Sequence, residues 1–395
     1  MSNILLAALG LALALGSSTA PLRPQGVPPA QDTTHSGKAL PIPAPFGPGS
    51  ITPDQAHSRR GVRAVPELSL PPLPARIDKV LTHPDGTKAA EGEMKNGRRD
   101  GAWVLYYSDG KQRAIGTYRN YRREGEWVYF HPGIELAQRA GAFKDGKREG
   151  PWKRWHPTGV LLEEMVFADD VQVGAAREFY PEGALRAEGR YQDGARHELW
   201  QIYHPDGKTS YMEGKYNRGM QDGAWIFYHP NGAKFQEGNY ALGVAEGRWT
   251  TWHDNGQMQS QGVFEVGAQS GQWTKWHKNG SKEFEGGWDA GREQGLWKRW
   301  HDNGQLAAEG NYDQGRMVGD WVSWHANGQK ERVQVYVGGT LNGPYRTWFA
   351  SGQKREEGEY RLGKREGMWR AWNDDGTPDE TLSGEFKNDR RVKQQ

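Results

Sequence analysis

A 24-residue repeat is the feature that most constrains what this chain can fold into. GRWTTWHDNG from Gly247 returns as GQWTKWHKNG from Gly271, GLWKRWHDNG from Gly295 and GDWVSWHANG from Gly319. The register extends over twelve units, whose anchor residue is Gly in every unit except the fifth, where it is Glu198. A unit this short cannot bury a core alone, so the pattern predicts an array in which each unit packs on its neighbours.

Each unit has the composition of a β-hairpin. Trp249–His253 is typical of a strand, and Met258–Phe264 of a return strand. Between them, Asn255 and Gly256 predict a type I′ turn, which requires positive φ at both central residues. The looser Gly267–Gly271 segment is expected to lead into the next hairpin.

Aromatic side chains recur in two tryptophan columns that must supply most of the buried area, since aliphatic residues are scarce. Because residues three apart in a strand face opposite sides, we expect Trp249 and Trp252 to lie on different faces. Trp288 joins a third column that is otherwise Tyr or Phe. The first column is Trp103, Trp127, Trp152, Trp200, Trp225, Trp249, Trp273, Trp297, Trp321 and Trp369, and the second is Trp155, Trp252, Trp276, Trp300, Trp324, Trp348 and Trp372.

The unit G-x-W-x-x-W-H-x-N-G-x-x-x-x-E-G-x-Y-x-x-G resembles the MORN repeat variant, as found in bacterial proteins similar to the YwqK antitoxin family. The resemblance covers roughly residues 81–386. It implies an all-β fold, an elongated and twisted array of antiparallel hairpins that acts as an interaction surface. For antitoxin members it implies neutralisation of a partner toxin, and for other MORN proteins association with protein partners or membrane lipid.

Charge and cysteine content exclude several functional classes. Residues 76–395 carry 46 basic and 46 acidic side chains, which is not the basic footprint of a nucleic-acid binder. The chain has no Cys, which excludes disulfides, thiolate metal sites and cysteine nucleophiles. We therefore expect no nucleic-acid partner and no cofactor.

The N-terminal segment differs from the repeats. Residues 4–15 are an unbroken run of Ile, Leu, Ala and Gly, which predicts a signal peptide over residues 1–20 and export to the periplasm, envelope or exterior. The protein would be cytoplasmic if that signal does not function. Residues 21–75 hold 13 of the 22 prolines and predict a disordered Pro-rich linker, which leaves residues 76–395 for the repeat array.

Histidine and glutamate also recur in columns, and neither predicts an active site. Equivalent atoms of successive hairpins lie about 10 Å apart, too far for several His to share one metal. Near-translational symmetry gives every Glu the same surroundings, whereas acid–base catalysis needs two different ones. We expect the His to pack and hydrogen-bond at strand ends and the Glu to pair across strands with Lys or Arg, in a protein that is not an enzyme. The columns are His83, His131, His156, His204, His229, His253, His277, His301 and His325, and Glu91, Glu188, Glu213, Glu237, Glu285, Glu309 and Glu357.

Two stretches depart from the repeat. Residues 160–176 replace the usual return strand and place Ala176 where Trp is expected, and residues 333–345 end with Tyr345 in the first column. Each is either a tolerated bulge or a partner contact.

These features favour a non-enzymatic, exported or envelope-associated repeat protein that acts as a protein-interaction scaffold. The alternatives are a YwqK-like antitoxin that neutralises a partner toxin and a module that binds cell-wall glycan or membrane lipid. Exposed rings are the expected contacts in each case. The candidate binding residues are Trp249, Trp252, Trp273, Trp276, Trp297, Trp300, Trp321 and Trp324.

Overall fold

A computed structural model describes residues 68–392, which form 27 β-strands and no helix. The signal peptide predicted over residues 1–20 and most of the linker predicted over residues 21–75 lie outside the described residues. No described segment is a helix long and apolar enough to span a membrane. The strands are β1 Lys79–Thr82, β2 Lys88–Lys95, β3 Arg98–Tyr106, β4 Gln112–Arg119, β5 Arg122–Phe130, β6 Ala137–Lys144, β7 Lys147–Trp155, β8 Leu161–Ala168, β9 Val171–Phe179, β10 Leu185–Gln192, β11 Ala195–Tyr203, β12 Ser210–Asn217, β13 Met220–Tyr228, β14 Lys234–Ala241, β15 Val244–Trp252, β16 Met258–Glu265, β17 Ala268–Trp276, β18 Lys282–Asp289, β19 Arg292–Trp300, β20 Leu306–Asp313, β21 Arg316–Trp324, β22 Lys330–Val337, β23 Thr340–Trp348, β24 Lys354–Arg361, β25 Lys364–Ala371, β26 Gly384–Lys387 and β27 Arg390–Arg391.

Each strand from β2 to β26 pairs antiparallel with the strand before it and the strand after it, and β1 and β27 pair with their single neighbours, so the described residues form one continuous meander. This confirms the all-β array of antiparallel hairpins. The two-residue connections and short loops leave no room for crossovers.

Two kinds of turn alternate along the meander, and the predicted turn type is wrong for one of them. Asn255 does not adopt a positive φ; only Gly256 does, at 82°. His253 and Gln257 close a three-residue loop through the bond from His253 N to Gln257 O at 2.8 Å. Positive φ at both central residues occurs instead at the other end of the strands, at Val266 (50°) and Gly267 (79°).

A bulge follows each of these tight turns. Residues 268–271, expected to be a looser connection, belong to β17. Ser270 pairs with Val263 and Thr274 with Gln261, so Gly271, Gln272 and Trp273 together oppose the single residue Gly262. Gly271 adopts a φ of 64°, which explains why the anchor column favours glycine.

The bulge creates the core of the array by laying each first-column indole over a glycine. A Cβ on Gly262 would lie 2.0 Å from the ring of Trp273, so only glycine fits there. Next to the bulge, the indole Nε1 of Trp273 donates to the carbonyl of Val263 at 3.1 Å. Ten such glycine–tryptophan crossings recur, from Gly92 and Trp103 to Gly358 and Trp369.

Third-column rings fill the space between successive indoles. Tyr240 meets Trp249 edge-on with ring centroids 5.0 Å apart, and Phe264 meets Trp273 in the same way at 5.2 Å. Edge-to-face contact is the favoured geometry for such pairs. We call this side of the sheet the tryptophan–glycine face.

The opposite side, the mixed face, carries the second aromatic column and a row of directly paired residues that we call the central row. Trp152 and Trp155 belong to separate clusters, which confirms that the two columns face opposite sides. The central row crosses 24 strands without a break. From β2 to β25 it consists of Glu91, Val104, Ile115, Val128, Ala140, Lys153, Glu164, Arg177, Glu188, Gln201, Glu213, Ile226, Glu237, Thr250, Gln261, Thr274, Glu285, Lys298, Glu309, Val322, Val333, Arg346, Glu357 and Arg370.

Candidate interaction surface

The structure divides the eight candidate binding tryptophans into two groups. The first-column members are buried, with 3, 2, 3 and 4% of their surface exposed, and they pack the tryptophan–glycine face. The second-column members are partly exposed on the mixed face. A ligand on that face therefore meets only the second group. The buried residues are Trp249, Trp273, Trp297 and Trp321, and the partly exposed ones are Trp252, Trp276, Trp300 and Trp324.

A lysine covers some of the partly exposed rings. The Lys234 ammonium lies 5.7 Å from the ring centroid of Trp252 and binds Glu237 at 2.9 Å. Lys282 covers Trp300 in the same way at 5.3 Å. Among the described residues no cation lies over Trp276 or Trp324, because Met258 and Leu306 occupy the lysine position of the preceding strands.

Eight of the nine residues of the histidine column join successive units, as expected for strand-end hydrogen bonding, whereas His156 bonds to Thr158 in its own loop. The imidazole Nε2 of His253 donates to the carbonyl of Trp276 at 2.9 Å, and His301 donates to Trp324 at 2.8 Å. Tyr107 takes the same role in the first unit by donating to the carbonyl of Phe130. An asparagine column does likewise: Asn255 Nδ2 donates to the carbonyl of Lys278 at 2.9 Å. This second ladder was missed by sequence reasoning, although its 24-residue spacing is visible.

The glutamates pair in more ways than predicted. Arg177 and Glu188 are cross-strand partners at 3.4 Å, in agreement with the expectation. Others bind a lysine three residues earlier in the same strand, as Glu285 binds Lys282 at 2.8 Å. Glu188 also accepts from the Tyr203 hydroxyl at 2.9 Å, and burial, together with this bond, raises the pKa of Tyr203 to about 12.

In both irregular stretches, the glycine and the tryptophan of a crossing are both replaced by other residues. In β8 and β9, Met165 replaces the glycine and Ala176 replaces the tryptophan. In β22 and β23, Gln334 and Tyr345 stand in the same two positions. A Cβ at the glycine position excludes the indole, so the second change follows physically from the first.

On the mixed face, behind Met165 and Ala176, the sheet forms a groove of about 600 Å³ across β7–β11. Its apolar lining includes Pro151, Ala175 and Leu199, the residues that follow the bulge glycine or Glu198 in their strands. Pro151 and Ala175 have short side chains. In other units the equivalent position carries a longer side chain, such as Arg248 or Gln272, so the short side chains leave the groove open.

Four of the five charged residues that line the groove are paired with each other. Lys153 Nζ lies 3.1 Å from Glu164 Oε1, and Arg177 Nε lies 3.4 Å from Glu188 Oε2. All four residues belong to the central row. The fifth, Arg190, is exposed and forms no ion pair among the described residues, so the groove combines apolar side chains with two ion pairs and one positive charge.

Next to the groove, over β3–β6, the central row is apolar and the chain itself covers it. Leu68 packs against the cluster that includes Val104, Ile115 and Val128, whose exposed fractions are 1–2%. Pro71 is buried as well. The residues Leu68–Pro74 have no regular secondary structure, and Ala75 N anchors their end by donating to Glu93 Oε1 at 2.8 Å.

Within residues 68–392 no group of three or more His, Asp or Glu side chains is placed to hold a metal ion. The binding features of the mixed face are thus rings, apolar grooves and paired charges.

Five segments match the family model described as the MORN repeat variant: residues 148–169, 172–193, 221–241, 245–265 and 293–314. Each match contains one strand, its three-residue loop and the following strand. These five segments are therefore similar to MORN repeat variants. No curated protein matches, and the similarity to the YwqK antitoxin family stays a prediction.

Three solved structures that align with this chain are distant from it. One is the Tc holotoxin pore of Photorhabdus luminescens with a mutation in TccC3, at 10% identity and a TM-score of 0.15, covering 76% of this chain and 15% of that one. A TcdB2–TccC3 crystal structure shows 11% identity and a TM-score of 0.15, covering 79% and 16%. A TcdB2–TccC3–Cdc42 crystal structure shows 9% identity and a TM-score of 0.12, covering 73% and 21%. The chain thus spans only a minor part of these proteins, and the alignments carry no argument about its function.

Proposed function

We propose that this protein is a non-enzymatic, exported or envelope-associated scaffold that binds a protein partner on its mixed face. The observation that supports this most directly is the groove over β7–β11, where both faces of the sheet depart from the repeat at the same strands. Apolar side chains bordered by polar and mostly paired charged residues resemble the anatomy of protein–protein interfaces.

Site-specific photo-crosslinking tests the proposal. A photo-reactive amino acid at Ala175, in the groove, should give a discrete adduct with a partner in cells that make the full chain. The matched control is the same amino acid at Gln272, an equally placed and exposed bulge residue outside the groove. Equal adducts at both positions, or none at Ala175, would contradict the proposal.

Export is tested separately by cell fractionation. Removal of residues 1–20 should shift the protein from the envelope or periplasm into the cytoplasm. A full chain that stays with the cytoplasmic fraction would disprove export while leaving the binding proposal intact.

Glycan binding is a second candidate, favoured by the uncovered rings of Trp276 and Trp324. Titration with cell-wall glycan fragments should change tryptophan fluorescence, and the change should disappear in a Trp276→Ala, Trp324→Ala variant. A response that survives these substitutions would remove this candidate.

A further inference from the structure

The chain shows on its own mixed face what kind of segment that face can hold. Leu68–Pro74 has the sequence Leu-Ser-Leu-Pro-Pro-Leu-Pro, with no charged residue. Its prolines fix φ near −65° and favour an extended conformation without internal hydrogen bonds. Leu68 packs against the buried cluster of the mixed face, and Pro71 is itself buried.

We propose that the groove over β7–β11 binds a segment of the same chemistry from a partner protein: extended, uncharged, and containing leucine and proline. This inference rests on the proposed scaffold function and specifies the partner's contact. The groove adjoins the region that the chain itself contacts, since Ala140, a member of the cluster against which Leu68 packs, pairs directly with Lys153 of the groove.

The sheet topology excludes the main alternative mode of peptide binding. Strands β7–β11 are each paired on both edges, so a partner cannot add a strand at the groove. It must lie across the face and bind through side chains. Proline-rich segments bind in this way because their backbone needs no strand partner and their rings pack on aromatic and apolar surfaces.

The groove chemistry matches an uncharged occupant. Leu199 offers an apolar side chain that is 52% exposed, and the charges of Lys153 and Arg177 are already paired, which leaves Arg190 as the one lining charge without an ion pair among the described residues. Phe179 and Tyr203 lie on the same face, two residues beyond Arg177 and Gln201, and place aromatic rings beside the groove. A charged segment would have to compete with the two existing ion pairs, and a basic one would also be repelled by Arg190.

Binding of a synthetic peptide to the full chain tests the inference. The probe is a fluorescently labelled Leu-Ser-Leu-Pro-Pro-Leu-Pro-Ala, and the readout is fluorescence anisotropy. Leu199→Glu should weaken binding at least about tenfold, because it places a charge in the apolar floor. Leu296→Glu is the matched control: Leu296 follows the bulge glycine of another unit and is also 52% exposed, so binding should change less than about twofold.

Three results would overturn the inference: no binding at millimolar peptide, equal effects of the two variants, or binding that Leu199→Glu leaves unchanged. The last would mean that the peptide only exchanges with the chain's own segment over β3–β6. Urea unfolding checks that both variants fold, and Leu199→Ala replaces Leu199→Glu if the latter does not; a loss of about threefold is then expected. A peptide in which all leucines are replaced by alanine should bind more weakly than the probe to the parent chain.

Failure of this inference is distinguishable from failure of the scaffold function. If the peptide does not bind but a photo-reactive group at Ala175 still captures a partner, the scaffold stands and the chemistry of the partner segment is wrong. If neither result is obtained, both proposals fail.

Discussion

Strands β16–β17 and β8–β9 solve the same packing problem in opposite ways. In the regular pair, Gly262 leaves its side-chain space to the indole of Trp273. In the irregular pair, Met165 carries a side chain at the glycine position, and the small Ala176 stands at the tryptophan position. Strand pairing survives in both, but the edge-to-face ring contacts stop at Phe167 and resume at Tyr191. Glycine and tryptophan therefore form one packing unit. In both irregular pairs of the array, the two residues are replaced together.

The same comparison connects core packing with function. The ring contacts are interrupted on the tryptophan–glycine face of β8–β9, and the groove lies on the mixed face of the same strands. A region altered on both sides differs from every regular hairpin of the array. This is the physical basis for placing the partner site there and not along the repeated columns.

Removal of a regular indole should have the largest effect on this comparison. Trp273 is 2% exposed, so Trp273→Ala should lower the free energy of unfolding by about 3–5 kcal/mol. Trp276→Ala, three residues away in the partly exposed column, should cost about 1–2 kcal/mol because less area leaves contact. Urea unfolding followed by circular dichroism measures both. Equal losses would contradict the assignment of the two columns to core and surface.

Addition of a Cβ at the glycine of a regular crossing should have the second-largest effect on the free energy of unfolding. Gly262→Ala places a Cβ 2.0 Å from a rigid ring and should cost about 2–3 kcal/mol. Gln334→Ala is the control, since that position in β22 already carries a Cβ and faces Tyr345 in place of an indole. Its cost should stay below about 1 kcal/mol. A neutral Gly262→Ala would show that the indole does not need the glycine.

The features of the fold that repeat at a fixed spacing could be predicted from the sequence. The 24-residue period and the aromatic alternation predicted the hairpins, the two faces and the histidine ladder correctly. The predicted turn type was wrong. Asn255 and Gly256 are typical of a two-residue turn, but the hydrogen bond between His253 and Gln257 closes a three-residue loop.

The candidate site was only partly predictable for a different reason. Ala176 was predicted as a missing tryptophan and Met165 lay in the same irregular stretch, but the sequence did not pair the two, because the crossing joins residues from different strands. The groove depends on cross-strand register, bulge geometry and the cover over β3–β6, none of which has a periodic signature. The sequence also did not show which four of the eight candidate tryptophans are buried. That depends on which column packs over the glycines of the neighbouring strands.

A double-mutant cycle sharpens the comparison further. Transplanting the irregular pair as Gly262→Met with Trp273→Ala should cost less than the sum of the two single changes by about 1–2 kcal/mol, because the Met side chain can enter the space that the indole leaves. The three variants are compared by urea unfolding under one set of conditions. Strict additivity would mean that Met165 and Ala176 in β8–β9 are independent changes.

The smallest effect is expected at the bulge of the fifth unit, where Glu198 stands in the place of glycine. Glu198 adopts a φ of 55°, a region in which a side chain is strained, while the equivalent Gly223 adopts 78° without that cost. Glu198→Gly should therefore raise the free energy of unfolding by about 0.5–1 kcal/mol, the relief of strain exceeding the added freedom of the unfolded chain. Gly223→Ala should lower it by about 1 kcal/mol at the same structural position. If Glu198→Gly destabilises the protein, the glutamate must make a favourable interaction that outweighs its backbone strain, and the bulge of β11 would differ from its regular counterparts in more than backbone conformation.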